Sequence, residues 1–195
     1  AYSFGLQIYF DFAGYSLVAI GSAQLLGIKF PHNFCWPYFA VNPRDFWRRW
    51  HITLSSWIRD YLYLPLQGAT VIPSSLGGID HLSGRGQQIQ NFRMILALFI
   101  TWFIMGLWHG SNWQFAFWGI WHACLIVIFR AFKWTSVDYS GFSFSSIIGN
   151  IFTIALIMLA WIFFRAPSVD YAFSVYSVLF STDLFRISLA FRENF

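Results

Sequence analysis

Two apolar runs meet at a single histidine. The first, Phe92 to Trp108, arrives at Gly106-Leu107-Trp108-His109-Gly110-Ser111-Asn112, and the second, Trp113 to Phe129, leaves from it. Each run approaches the ~20 residues that cross a hydrocarbon core. An ionisable ring and irregular backbone are tolerated at that depth only against protein or a water-filled cavity. His109 is therefore the first candidate for chemistry. Gly106 and Gly110 bracket it, and glycine lets a backbone leave helical geometry or admit a close neighbour. Ser111 and Asn112 offer side-chain oxygens to cap a helix beginning near Trp113.

Residues 2 to 28 and Ile147 to Phe164 are long and apolar as well, which brings the expectation to about four spans. Only 10% of the 195 residues are charged, against about 25% in soluble domains. The expected fold is all-α: a polytopic membrane protein with about four transmembrane helices plus interfacial and re-entrant helices. The net charge of +4 does not point to nucleic acid, because the basic residues gather on one side of the spans. Seven basic and three acidic residues lie between Lys29 and Arg93, and Arg130 and Lys133 follow two spans later. Both clusters then face the same side, the cytoplasm by the positive-inside rule. The chain opens at Ala1 inside a patterned apolar segment, without a basic leader, and reads as a piece of a longer polypeptide.

Asp11 sits within the first apolar stretch, where an acid is costly, so it should face the protein interior. Gly14, Gly21 and Gly27 would permit close helix contact. Lys29 to Pro43 is a loop punctuated by Pro31, Pro37 and Pro43, interfacial or re-entrant. Asn42-Pro43-Arg44-Asp45 reads as a helix start, with Asn at the N-cap and Pro in the first position. The helix that follows places Trp47, Trp50, His51 and Leu54 on one face and fits a membrane surface. Arg59 to Pro65 ends it. Gln67 to Asn91 reads as a solvent loop with His81 exposed, Ser136 to Ser146 as a polar turn, and Tyr171 to Phe180 as interfacial.

Known catalytic signatures are few. Cys35 and Cys124 have no metal-like or redox-like spacing, His109 and His122 stand 13 residues apart with no HxxxH or carboxylate cluster, and no GxSxG elbow or P-loop is present. No metal and no tightly bound cofactor are expected. A buried neutral imidazole is a candidate base.

Several blocks in order carry a resemblance. They are Tyr9-Phe10-Asp11-Phe12-Ala13-Gly14-Tyr15-Ser16, Asp45-Phe46-Trp47-Arg48-Arg49-Trp50-His51-Ile52-Thr53-Leu54-Ser55, Arg59-Asp60-Tyr61-Leu62-Tyr63-Leu64-Pro65-Leu66, Gly106-Leu107-Trp108-His109-Gly110 and Trp118-Gly119-Ile120-Trp121-His122. With Phe163-Phe164-Arg165-Ala166 further on, the chain resembles the membrane-bound O-acyltransferase family, in its bacterial alginate O-acetylation branch. The sibling branch that transfers D-alanyl groups in teichoic acid modification shares the Trp-His blocks. Gln67-Gly68 departs from the Gly-Gly usual after the Pro-Leu, and Ala123 stands where a glycine commonly follows His122.

The resemblance implies that residues 1–195 are the C-terminal part of the family core, with N-terminal membrane helices missing. It implies His109 as the catalytic histidine and His51 as a second polar position that orients the reactants or polarises a thioester carbonyl. Arg48 and Arg49 are candidates for the donor phosphates, and Trp108, Asn112 and Asp11 for further substrate contacts. His122 is read as structural. The implied donor is acetyl-CoA or an acyl carrier, the implied partners are periplasmic acetyltransferase proteins and membrane lipids, and the implied location is the bacterial inner membrane. A non-catalytic scaffold or transporter is the alternative outside the enzyme class.

Overall fold

The described part of the molecule comprises residues 2–71, 79–81, 87–134 and 143–181 of a computed structural model. Helix α1 spans Tyr2–Leu25, α2 Pro43–Arg49, α3 Ile52–Ile58 and α4 Leu64–Gln67. Strands β1 (Ala69–Val71) and β2 (Ile79–His81) follow, then α5 (Gln87–His109), α6 (Trp113–Ala131), α7 (Phe144–Arg165) and α8 (Val169–Leu179). A 3-10 turn, Pro37–Phe39, precedes α2, and a π-helical turn, Arg59–Tyr63, joins α3 to α4.

Three helical stretches are long and apolar enough to cross a membrane: Asn91–His109, Trp113–Ala131 and Phe144–Arg165. Helix α1 has 24 residues, about 36 Å at 1.5 Å per residue. It is interrupted by Asp11 and by Ser, Gln and Tyr, and falls outside that set.

The long helices pack through their small residues. Helices α5 and α6 form an antiparallel hairpin joined by three residues, Gly110 to Asn112. At their crossing Gly106 lies against the backbone carbonyl of Phe115, and Gly119 against that of Trp102. Any side chain there would drive the helices apart, as expected where small residues set helix approach. Helix α7 packs on α6, and α1 meets α7 where Gly5 lies beneath Met158 and Trp161. Trp118, Trp161, Phe46 and Ile157 fill the centre, all but sealed.

Helix α2 starts as its sequence dictates. Asn42 caps it, its Oδ1 accepting from the Asp45 N–H at 2.8 Å, with Pro43 in the first turn. Its placement differs from expectation: Phe46 and Trp50 enter the protein core, so the aromatic face is covered by α6 and α7 side chains instead of lipid. The single helix expected through Ser55 is also broken. His51 has φ 44° and ψ 55°, the left-handed region, which turns the chain between α2 and α3 and removes His51 from the face it would share with Trp47. Conversely, helical structure does not end within Arg59 to Pro65. Pro65 lacks an N–H for the preceding turn, and the widened π register just ahead of it absorbs that loss, so helical structure runs on to Gln67, capped by Gly68 at φ 81°.

Other expectations are corrected. The Gly- and Ser-rich stretch after Gln67 holds the antiparallel ribbon, with Ala69 opposite His81, Thr70 opposite Asp80 and Val71 opposite Ile79; the β-branched residues suit it. The same stretch ends in the first turn of α5. The side chain of His81 and most of the polar turn over 136–146 lie outside the described residues. Asp11 is exposed and has no partner among the described residues, because α1 buries its opposite face through Ser16, Ile20 and Ala23. Asp11 stands about 180° from Ile20 at 100° per residue. Gly14 and Gly21 meet nothing within 4 Å among the described residues, and Gly27 is a positive-φ residue (φ 75°) after the end of α1.

Gly119→Ala and Gly106→Ala should each destabilise the protein by about 1–3 kcal/mol, since a backbone carbonyl blocks the added methyl. The check is the thermal midpoint of the purified protein in detergent. An unchanged midpoint for both would contradict this packing.

Candidate active site

His109 is the last residue of α5. Its half-buried ring makes edge contacts with Trp118 and Phe164, each at 5.1 Å between centroids, and with its neighbour Trp108 at 4.9 Å. Neither ring nitrogen has a hydrogen-bond partner among the described residues. The glycine-mediated approach of α5 to α6 sets this position, because it brings the α5 terminus down beside Trp118.

His51 reaches the same region from another part of the chain. Its ring lies edge-on to Phe12 at 4.6 Å, and its Nδ1 is 2.9 Å from Asn33 Oδ1. Asn33 holds the whole turn. Its Oδ1 also accepts from the Thr53 hydroxyl at 3.0 Å and the Thr53 N–H at 3.3 Å, and its backbone carbonyl accepts from the Ile52 N–H at 2.9 Å. A left-handed non-glycine residue costs on the order of 1–3 kcal/mol and persists only when its surroundings over-determine it. Burial lowers the His51 pKa from 6.5 to about 4, so the ring is neutral at neutral pH. Rings in contact link it to His109: Trp50, the residue before His51, meets Trp161 at 5.4 Å, and Trp161 meets Phe164, the ring that His109 touches, at 5.4 Å. Two histidines 58 residues apart in the chain thus share one neighbourhood.

His122 stands apart from them in kind. It is fully buried, its Nδ1 accepts from Trp47 Nε1 at 3.3 Å, and it stacks on Trp102 at 5.2 Å. It ties α2 to the α5–α6 hairpin.

The arginines divide. Arg49 is committed to Asp45, both carboxylate oxygens lying 2.9 Å from Nε, and also reaches the Cys35 carbonyl. Arg48 instead lines a cavity of about 670 Å³ together with Arg44, Arg59 and Arg130. Arg59 also pairs with Asp60 at 2.6 Å. A narrower, largely apolar cavity of about 140 Å³ adjoins it, sharing Trp47, Ser55, Arg59, Tyr63 and Leu98, and continues to Thr101, Trp102 and Met105. Met105 lies one helical turn before His109, on the same face. From Leu98, common to both cavities, to His109 is eleven residues of α5, about 16 Å at 1.5 Å each.

The remaining candidates lie at the edge. Trp108 and Asn112 are exposed; Asn112 occupies the N-cap of α6 without a side-chain capping bond. Asp11 is on the outer face of α1. Sequence reasoning missed Asn33, Arg44, Arg59 and Arg130. For the arginines the signal was present: the two basic clusters expected on one side of the membrane do meet, at this cavity. Among the described residues no group of three His, Cys, Asp or Glu side chains is placed to hold a metal.

Residues 2–76 match the family model for MBOAT, the membrane-bound O-acyltransferase family. The chain is similar to a probable alginate O-acetylase AlgI of Azotobacter vinelandii, 39% identical over 93% of this chain and 32% of the relative. It is similar also to a peptidoglycan O-acetyltransferase of Helicobacter pylori, 38% identical over 89% of this chain and 29% of the relative. A teichoic acid D-alanyltransferase of Bacillus subtilis is 33% identical over 68% of this chain and 31% of the relative. The chain spans about a third of the length of these curated relatives. The ordered motifs, the apolar helices and these matches together assign it: the chain belongs to the membrane-bound O-acyltransferase family.

Proposed function

We propose that this chain forms the acyl-transfer part of an integral membrane O-acyltransferase, which moves an acetyl group from cytoplasmic acetyl-CoA to a polysaccharide hydroxyl on the far side of a bacterial inner membrane. The observation that carries this reading is the neighbourhood shared by His109 and His51, one helical turn beyond Met105, where the narrow apolar cavity that adjoins the arginine-lined one ends. Four guanidiniums at a wide mouth suit the phosphates of a nucleotide thioester. The narrow apolar continuation suits a thin arm, and some 16 Å of reach would bring its thioester to the histidines.

The chemistry follows from the groups present. His109, a base with an open ring nitrogen, takes the proton of the acceptor hydroxyl. The oxygen then attacks the thioester carbonyl carbon; the new C–O bond forms, the C–S bond breaks, and the departing thiolate recovers a proton to leave as free thiol. His51 orients the reactants or polarises the thioester carbonyl. Arg48, with Arg44, Arg59 and Arg130, holds the donor phosphates. Arg49 serves the same site indirectly by bracing α2 through Asp45, and Trp108 walls the His109 ring. Asn112 and Asp11, both exposed, are the remaining proposed substrate contacts. Periplasmic partner proteins complete delivery to the polysaccharide.

The relatives named as O-acetylating enzymes align over more of this chain than the D-alanyltransferase does, which supports an acetyl group and a glycan acceptor. D-alanyl transfer is the second reading, favoured by the relatives of that name.

In membranes carrying the full-length protein and labelled acetyl-CoA, His109→Ala should lower transfer about 10²–10⁴-fold, the usual contribution of a general base, with the protein still folded. Normal transfer by that variant would leave a non-catalytic scaffold as the account. A D-alanyl carrier protein offered in the same assay should be a poor donor. Arg48→Ala and Arg130→Ala should each raise the KM for acetyl-CoA roughly tenfold or more, the worth of one charge-assisted hydrogen bond, and leave kcat little changed. An unchanged KM in both would remove the arginine cavity from the donor path.

A further inference from the structure

We propose that Asn33 is a positioning residue for His51, fixing its imidazole in the tautomer with the proton on Nδ1 and the lone pair on Nε2. The network determines this without reference to any substrate. The backbone N–H of Thr53 can only donate, and it points to Asn33 Oδ1 at 3.3 Å, which settles which amide atom of Asn33 is the oxygen. The Asn33 Nδ2 in turn faces Ser16 Oγ of α1 at 3.5 Å. An amide oxygen only accepts, so His51 Nδ1, 2.9 Å from it, is the donor. A neutral imidazole protonated at Nδ1 has an unprotonated Nε2.

The consequence separates two roles for His51. In this tautomer the neutral ring cannot donate to a thioester carbonyl from Nε2. It can only accept there, from the acceptor hydroxyl. His51 therefore orients, by accepting a hydrogen bond, and does not polarise the thioester. Asn33 acts at one remove: it holds the ring, and its backbone carbonyl receives the Ile52 N–H that keeps the left-handed turn in place.

This role for His51 rests on the acyl-transfer reading; the tautomer itself does not. The test is nitrogen NMR of full-length protein with ¹⁵N-labelled histidine in lipid, beside steady-state acetyl transfer. Wild type should give one ring with protonated Nδ1 and bare Nε2 that disappears in His51→Gln. Asn33→Ala should lose that signature and at least tenfold in kcat, with the donor KM within threefold. Asn33→Asp, which keeps an acceptor oxygen in place, should restore both. If the alanine variant does not fold, the wild-type spectrum and the aspartate variant decide. A wild-type His51 protonated on Nε2, or an alanine variant with unchanged spectrum and kcat, would overturn the assignment. Full activity in His51→Gln with the wild-type signature present would remove His51 from the transfer reaction and leave the Asn33 assignment standing.

Discussion

Backbone contact between α5 and α6 is what the site depends on. In lipid, burial of apolar side chains supplies little drive between helices, because acyl chains are as apolar as leucine. Close approach has to come from missing side chains, and Gly106 and Gly119 provide it by admitting the carbonyls of Phe115 and Trp102. That contact fixes the three-residue join and, with it, the end of α5. His109 then meets Trp118 and Phe164.

The second constraint is the treatment of polar groups. His122 is held by Trp47, Asn42 caps its own helix, and Arg49 closes on Asp45. Each has a partner, although the buried Nε2 of His122 has none among the described residues. His51 is different: it occupies an unfavourable backbone region and is buried enough to lose its charge. Strain and desolvation together at one residue, in the same aromatic cluster as His109, set this place apart.

Much of this was legible in the sequence, and the limits have physical causes. The apolar runs gave the three long spans, Asn42-Pro43 gave the start of α2, and the join at His109 gave its place at a helix end, because each is a local pattern. The turn at His51 was hidden, since Trp47, Trp50, His51 and Leu54 keep helical spacing while long-range bonds from Asn33 break the helix. Burial of α2 was hidden too: an aromatic face looks the same whether lipid or protein covers it. Pro65 misled for the opposite reason, as a π turn let the helix pass a residue that ordinarily stops one. Asp11 was expected inside on the ground of cost alone, and α1 places it on the face that this stretch of chain leaves uncovered. The family assignment came from motifs in order, a signal independent of all these local errors.

The central claim is that a thioester entering past the arginines comes to rest between two imidazoles. The most direct measurement is a structure of the full-length protein with a non-transferable thioether analogue of acetyl-CoA. The account predicts phosphates against Arg48 and Arg130, the arm running past Leu98 and Met105, and the acetyl carbonyl within reach of His109 and His51. An analogue bound elsewhere, or one whose acetyl end lies away from both rings, would contradict it.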